Sequence, residues 1–401
     1  MDLRKQKALQ LLKNGRIKKL KDGFAVQSQN SLRYYFVDKA FTCTCPDCKV
    51  NKTPVCKHAF AVKYYLGIEK PSGTVEKVKL TYKQAWSTYN QAQNNEVNLF
   101  DKLLSDLIEV VEEPEPKKGA GRPNLSLKEQ LFCSTQKVYS QLSSRRAKSL
   151  FNNAQERGLL KQSPHSNAVN KFFNRKDLTP ILQKLIAVSS APLKKIESKF
   201  AIDSTGFRTT RFNEYCKEKH DTKKKHNWIK LHAVCGVKTN IITGAVITNS
   251  VGVGTGDATQ LPELVEQTNQ TFEATEYSAD KAYSSRNNLQ FIDEKNAVPF
   301  IPFKKNTIPR IRGGGQVWRK MFHYFALNQE EFLQHYHVRS NIETTFHMIK
   351  SKFGDSVKSK NWTAQQNELL AKVLCHNIVV VIHEMHELGI SADFKSLVAK
   401  N

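Results

Sequence analysis

Two acidic residues stand where a carboxylate is costly unless it binds a cation or accepts strong hydrogen bonds. Asp203 ends the apolar run FAID, and Asp280 ends the run YSAD, so each is expected at the C-terminal end of a strand. Carboxylate oxygens are the ligands that hard divalent ions such as Mg2+ prefer. A third acid, Glu343, follows further along the chain, and the sequence predicts that the three converge on divalent ions.

Glu343 belongs to a segment, 331–353, that predicts one continuous helix. Four polar residues of this segment are spaced at i, i+3, i+7 and i+14, namely Tyr336, Arg339, Glu343 and Lys350. At about 100° per residue they share one stripe. Arg339 and Lys350 would hold phosphates and Tyr336 would stack or donate a hydrogen bond. Taken alone, Arg339 and Glu343 could equally be an ordinary i,i+4 ion pair.

The chemistry that this arrangement suits is phosphodiester cleavage. Two divalent ions about 4 Å apart activate a water or a 3′-hydroxyl and stabilise the leaving oxygen. The composition agrees, because 62 Lys and Arg stand against 37 Asp and Glu in 401 residues, a net charge of +25 that favours a polyanionic partner.

The uninterrupted apolar run at 378–382 is too short to span a bilayer, and the opening residues lack the pattern of an export signal, so no membrane is expected.

A second set of ligands lies near the N-terminus. Cys43 and Cys45 are two residues apart and face the same way on an extended strand, and Cys56 and His58 follow at the start of a helix. Together they predict a tetrahedral Cys3His site for one structural Zn2+. Cys48 could compete as a ligand. The alternative is a group of reduced thiols that bind no metal.

The elements that position these residues fall into four predicted regions, which makes the fold multidomain α+β. Residues 1–66 predict a small strand, strand and helix unit around the cysteines, with a basic N-terminus. Residues 67–124 predict a helical connector that ends in the linker EEPEPKKGAGRPN. Residues 125–198 predict a helix-turn-helix-like bundle. Residues 199–401 predict a mixed sheet covered by helices.

Within the last region the sequence predicts both the sheet and its connections. Strands are expected at 199–207, 228–238, 241–248, 276–283 and 297–303, with helices at 257–272, 285–295 and 367–388. Asp257 is expected to cap its helix, with Gln260 completing a capping box. Residues 306–330, with their glycine triplet, are expected to form a loop.

Two basic or polar segments are candidates for contact with DNA. Residues 208–230 hold eight Lys and Arg against three acids and include Lys223, Lys224 and Lys225. A lysine-rich loop is also commonly just solvated.

The best candidate for a recognition helix is 163–175, where Ser166, Asn167, Asn170 and Lys171 could reach base edges. The alternative is a plain packed helix.

Residues 199–389 resemble the catalytic domain of bacterial insertion-sequence transposases of the DDE class, which has an RNase H-like fold. The signature Y-(2)-R-(3)-E-(6)-K matches fully at the four polar residues of the segment 331–353. The second motif of that family, D-x-G-Y, is changed to D-K-A-Y at Asp280. The spacing C-x-C-x(n)-C-x-H of the cysteine cluster resembles the SWIM zinc finger.

The resemblance implies a residue-by-residue role for the acids: Asp203 bridges two Mg2+ or Mn2+ ions, and Asp280 and Glu343 each bind one. It implies a transposase that binds transposon ends on double-stranded DNA, cleaves the strands and joins their 3′-hydroxyls to target DNA. It also implies a homodimer or higher oligomer on DNA, in the cytoplasm at the nucleoid. Two alternatives stay open, a non-catalytic zinc-dependent DNA-binding regulator and a structure-selective nuclease.

Overall fold

The computed structural model describes residues 3–29, 33–49, 55–68, 85–115, 125–209, 228–250, 252, 254–304, 307–308, 315–392 and 394. The chain divides into two compact units, residues 1–83 and residues 84–401.

The first unit is a three-stranded antiparallel sheet with helices on one face. Its strands, in the order β1-β2-β3, are Ile17–Lys19 (β1), Gly23–Gln27 (β2) and Tyr34–Asp38 (β3). Its helices are Leu3–Lys13 (α1), Pro46–Lys49 (α2) and Lys57–Tyr65 (α3). Phe24, Val26 and Val37 of the sheet form a core with apolar residues of α1 and α3 and with the cysteines. The predicted strand, strand and helix are confirmed, whereas β1 and α1 were not predicted.

The second unit begins with helices that cover one face of a five-stranded sheet. These helices are Trp86–Ile108 (α4), Leu127–Ser140 (α5), Ser144–Glu156 (α6), Ser166–Phe172 (α7) and Leu178–Ser190 (α8). The strands are Lys199–Arg208 (β4), Trp228–Gly236 (β5), Ile242–Asn249 (β6), Glu276–Ala279 (β7) and Val298–Phe300 (β8). The remaining helices are Asp257–Asn269 (α9), Arg286–Glu294 (α10), Gln316–Leu327 (α11), Gln329–His337 (α12), Ser340–Phe353 (α13) and Trp362–Glu387 (α14).

The sheet order is β6-β5-β4-β7-β8, with β6, β5 and β4 antiparallel and β4, β7 and β8 parallel. Side chains alternate across β4, so Ala201 joins the core beneath α4 to α8, α13 and α14, while Phe200 and Ile202 join the core on the opposite face. The helices of residues 125–198 thus share a core with the sheet. The prediction of a multidomain α+β fold with a mixed sheet flanked by helices is confirmed.

Helix α14 is the central helix of the first of these cores. Its length and apolar composition would suffice to cross a membrane, and 78% of its most apolar window is buried inside the protein. Burial of that extent is what a core helix requires, and Asn367 and Asn377 on it make buried hydrogen bonds to neighbouring segments.

Two sequence predictions about the bounds of helices in this unit were wrong. The segment 306–330 contains α11, because Val317 and Met321 at i and i+4 pack into the second core and give it a helical apolar face. The helix predicted over 331–353 is divided into α12 and α13, which meet at Val338 and Arg339.

Candidate active site and metal cluster

Asp203 and Asp280 lie side by side on neighbouring parallel strands. Ile202 of β4 is paired with Ala279 of β7, and each aspartate is the next residue along the chain. β7 ends at Ala279, whereas β4 continues to Arg208, so Asp203 lies in the middle of its strand and not at its end as predicted. Because β7 stops at Ala279, the edge of β4 just beyond Asp203 is not paired with β7. This leaves space beside the two carboxylates.

Each aspartate is fixed by a hydrogen bond from the next backbone amide. Asp203 Oδ1 accepts from Ser204 N at 2.8 Å, and Asp280 Oδ1 accepts from Lys281 N at 2.6 Å. The Asp280 bond caps a short 3-10 turn, Lys281–Tyr283. Both side chains are therefore held near the strand from which they project.

Glu343 reaches the same region through a shared partner. Arg339 precedes α13 as its N-cap, and Glu343 lies in the first turn of that helix. Arg339 Nη1 donates to Asp203 Oδ2 at 2.6 Å, and Arg339 Nη2 donates to Glu343 Oε1 at 2.6 Å. The i,i+4 ion pair is thus present, and the same guanidinium also joins Glu343 to the first strand acid.

The side chains of the site differ in their exposure to solvent. The side chains of Asp203 and Arg339 are 21% and 19% exposed, whereas that of Glu343 is 60% exposed. Burial raises the pKa of Asp203; the Ser204 amide and Arg339 oppose that rise, and the charges of Asp280 and Glu343 add to it. Burial opposes the charge of Arg339, but its partners, Glu343 first, raise its pKa above the ordinary value.

Of the two other polar residues predicted to share the stripe, Lys350 lies near β4 and Tyr336 lies beside Arg339. Lys350 Nζ donates to Thr205 Oγ1 at 2.6 Å and lies 5.2 Å from the centre of the Phe207 ring. Burial lowers the pKa of Lys350, with Asp355 opposing that change. Arg339 Cζ lies over the Tyr336 ring, 5.8 Å from its centre. Lys350 therefore contacts β4 at Thr205, two residues beyond Asp203.

One acid beside the site was missed as a functional residue. Asp257 was predicted to cap α9, but the N-cap is Gly256, and the carboxylate turns to the sheet instead. Asp257 Oδ1 accepts from Ser204 Oγ at 2.9 Å and Lys230 Nζ at 2.6 Å, with His232 Nδ1 at 3.3 Å. His232, then Lys230 and Ser204, hold the pKa of Asp257 below its usual range against the effect of burial.

The predicted capping box is therefore wrong. The Gln260 amide donates to Gly254 O, so it makes no capping-box bond. A carboxylate that ends a glycine-rich turn is the sequence feature that could have pointed to a tertiary partner instead.

The four predicted sulfur and nitrogen ligands of the first unit do come together. The ligand atoms of Cys43, Cys45, Cys56 and His58 all lie within 4.8 Å of one another, and all four residues are buried. Cys56 Sγ and His58 Nδ1 are 3.8 Å apart, close to the ~3.6 Å between sulfur and nitrogen ligands that zinc bond lengths and tetrahedral angles give. The donor set and its spacing therefore fit a tetrahedral metal ion.

The thiols of the cluster are tuned by one another. Hydrogen bonding to Cys43 and His58 lowers the pKa of Cys56 to about 3, against the effect of burial, and the same contact raises the pKa of Cys43. Cys48 is only partly buried and lies outside the four-ligand group. Three elements deliver the ligands: Cys43 bridges to Val37 of β3, Cys45 precedes α2, and Cys56 is the N-cap of α3.

The segments predicted to contact DNA are placed only in part. Asn167, Asn170 and Lys171 are exposed on α7, whose Val169 and Phe172 turn into the core. The Asn170 Oδ1 atom already accepts from Lys137 Nζ and Ser144 Oγ. Lys223, Lys224 and Lys225 lie outside the described residues.

Comparison with known proteins gives three similarities. Residues 194–378 match the family model of the transposase DDE domain. A stretch of 104 residues, 26% of this chain, is 32% identical to a probable transposase for insertion sequence element ISA1214 of Archaeoglobus fulgidus. The chain spans only 31% of the length of that relative. A piggyBac transposase in a synaptic complex with hairpin DNA aligns over 76% of each chain at 11% identity, with a TM-score of 0.34 that supports no conclusion about this fold.

Proposed function

We propose that this chain binds the ends of a mobile DNA element, cleaves their phosphodiester bonds and joins the 3′-hydroxyls to target DNA. Support comes from the match of residues 194–378 to the family model of the transposase DDE domain and from the similarity of 104 residues to an insertion-sequence transposase. The observation that carries the proposal is that Asp203 and Glu343 bind one guanidinium, with Asp280 directly after the strand adjacent to Asp203. All three acids fall inside the matched residues.

Asp203, Asp280 and Glu343 would hold two Mg2+ or Mn2+ ions, with Asp203 as a ligand of both. Arg339 binds both Asp203 and Glu343, and burial, with the charges of Asp280 and Glu343 adding to it, raises the pKa of Asp203. Carboxylates gathered in this way are a donor set that suits hard divalent ions. When bound, such ions polarise the scissile phosphate and lower the pKa of the attacking water or hydroxyl. The remaining work belongs to side chains of this protein.

Those side chains hold the DNA backbone and keep the acids in place. Lys350 and Arg339 are cations within reach of the same strand edge, and Tyr336 offers a ring and a hydroxyl beside them. The backbone amides of Ser204 and Lys281 restrict the two aspartates before the DNA arrives. Such preorganisation reduces the rearrangement needed when charge develops on the phosphate.

The other predicted partners extend the proposal along the chain. The exposed Asn167 and Lys171 of α7 would contact double-stranded DNA at the transposon ends, as would Lys223, Lys224 and Lys225. The Cys3His cluster would hold one structural Zn2+. The protein would act as a homodimer or higher oligomer at the nucleoid in the cytoplasm.

The test uses the full chain and a plasmid that carries the gene with its own flanking DNA. With Mg2+ the wild type should release cut ends, and chelation should stop the reaction. Asp203→Asn, Asp280→Asn and Glu343→Gln should each lower the cleavage rate by about a thousandfold or more, since a lost metal ligand removes several kcal/mol of transition-state stabilisation. Each variant should still retard the end DNA in a gel.

Asp293→Asn supplies the matched control, because Asp293 is an exposed acid on α10 of the same domain. It should cleave at the wild-type rate. If all three site variants cleave as fast as this control, the proposed active site is wrong. Cut ends that never appear joined to a second plasmid would favour the structure-selective nuclease instead.

A further inference from the structure

The sheet of the first unit has an outer face that carries no helix among the described residues. Along β3 the side chains alternate: Val37 and Tyr35 turn toward the cysteine cluster, and Tyr34 and Phe36 turn the other way. Tyr34 is 48% exposed and Phe36 is 37% exposed. Two aromatic rings at i and i+2 thus project from the same exposed surface.

The neighbouring strand β2 carries small residues beside these rings. On β2 the positions that face outward include Gly23 and Ala25, and Ala25 is paired with Phe36. A Cβ atom at Gly23 would lie 2.7 Å from Phe36 Cζ and would clash with the Val37 carbonyl oxygen. The Phe36 ring therefore lies over Gly23, while Phe36 stays 37% exposed to solvent.

Positive charge borders the rings. Lys18 of β1 is paired with Ala25, in the same row as Phe36, and its Nζ lies 5.6 Å from the centre of the Tyr34 ring. Lys21 and Lys39 are exposed at the ends of the neighbouring turns. Residues 1–83 as a whole contain 18 Lys and Arg against 6 Asp and Glu. The surface is therefore complementary to a polyanion that also presents flat apolar faces.

We propose that this surface, the aromatic platform of Lys18, Tyr34 and Phe36, binds a single-stranded polynucleotide. Unpaired bases would stack on Tyr34 and Phe36, and the phosphates would lie along the lysines. Duplex DNA offers its phosphates but keeps its base faces inside the stack, so the rings would gain nothing from it. A protein partner fits less well, because lysine is depleted at the centre of protein interfaces. The proposal is independent of the carboxylate site.

The test measures fluorescence anisotropy of a labelled oligothymidylate and of a matching duplex, with the full chain carrying Asp203→Asn so that nothing is cut. The double variant Tyr34→Ala, Phe36→Ala should bind the single strand about tenfold or more weakly, since stacking contributes roughly 1–3 kcal/mol per base. Its affinity for the duplex should not change. Lys18→Ala should weaken the single strand less and reduce the salt dependence.

Tyr65→Ala is the matched control, because Tyr65 is 47% exposed on α3, the helix on the opposite side of the sheet. It should leave both affinities unchanged. Zinc content and circular dichroism confirm that each variant keeps its fold. A folded double variant that binds the single strand like the control, or that loses duplex affinity equally, would overturn the proposal.

A second readout holds even if the double variant fails to fold. The Tyr34→Trp variant should bind the single strand as well as the wild type does, and its indole fluorescence should be quenched when oligothymidylate is added, beyond any change in the parent chain. Tyr65→Trp should show no such additional quenching. Absence of quenching at position 34 on saturation with the oligonucleotide would exclude stacking at the platform.

Discussion

The two candidate metal sites differ in what holds their ligands together in the protein itself. The Cys3His cluster is closed, because its four residues are buried and their ligand atoms lie within 4.8 Å of one another. The carboxylate site is open on the side of Glu343, and a guanidinium lies between that residue and Asp203. The Cys3His ligands are thus already gathered. The carboxylates of Asp203 and Glu343 are instead neutralised by the Arg339 side chain.

The chemistry of the ligands explains the difference. Thiols can share protons and hydrogen bonds, so three of them and an imidazole can pack closely before an ion binds. Three carboxylates repel one another at close range and need a cation from the outset. A structural ion suits the first arrangement, and a site that must admit DNA and exchangeable ions suits the second.

The largest expected effect tests the closed site. Cys45→Ser should abolish stoichiometric zinc binding and unfold the first unit, because a structural zinc ion supplies roughly 10–16 kcal/mol of folding free energy in small metal domains. Residues 84–401, which have their own cores, should keep their unfolding transition. Zinc analysis and hydrogen exchange of residues 17–65 measure the two outcomes.

Cys48→Ser provides the comparison within the same cluster. Cys48 is partly buried and outside the four-ligand group, so this variant should retain zinc and protection. Loss of zinc in Cys48→Ser, with retention in Cys45→Ser, would mean that Cys48 is the ligand and that the proposed set is wrong.

The two sites also differ in how far the sequence could predict them. Zinc ligation depends on residue types at short spacing, so the pattern of Cys43 to His58 was sufficient to predict which side chains meet. Periodicity likewise predicted most elements of the sheet region to within a few residues, as at α10 and β6. In both cases the information is local.

The bridging role of Arg339 was not local and was not predicted. It depends on the division of the helix at Val338 and Arg339, which no glycine or proline marks, and on the packing of α13 against β4. The role of Asp257 was not predicted for the same reason. A local capping rule favoured a helix cap, whereas its actual partners lie on β4 and β5, distant in the chain. The α11 helix was hidden by the glycines that precede it.

The next effect tests the open site. Arg339→Ala should increase the affinity of the DNA-free protein for Mn2+ by roughly tenfold, because the ion would no longer compete with two ion pairs worth about 1 kcal/mol or less each. Titration calorimetry measures it directly. DNA cleavage should fall in the same variant, since the phosphate would lose a cation.

Lys350→Ala is the control for charge alone. Lys350 lies on the same helix and is bonded to the Thr205 hydroxyl, not to an acid of the site. Its affinity for Mn2+ should change by less than about twofold. If Arg339→Ala bound Mn2+ more weakly than the wild type, the guanidinium would be an organiser of the ligands and not a competitor for them.

The smallest expected effect concerns Glu384, a carboxyl near other acids that is stabilised by protonation. Burial, with Glu387 and Glu197 adding to it, raises the pKa of Glu384 to about 7. A raised carboxyl pKa contributes stability that is fully present below the unfolded value of about 4.3 and is lost as pH rises through about 7. Glu384→Gln should therefore unfold about 1–3 °C higher than the wild type at pH 8. The two should unfold together at pH 4, below the unfolded pKa, as scanning calorimetry would show. Glu387→Gln, altered at an exposed position, should follow the wild type more closely. An equal gain at both pH values would assign the effect to packing, and an acid cluster would then need neither cation nor proton to be tolerated here.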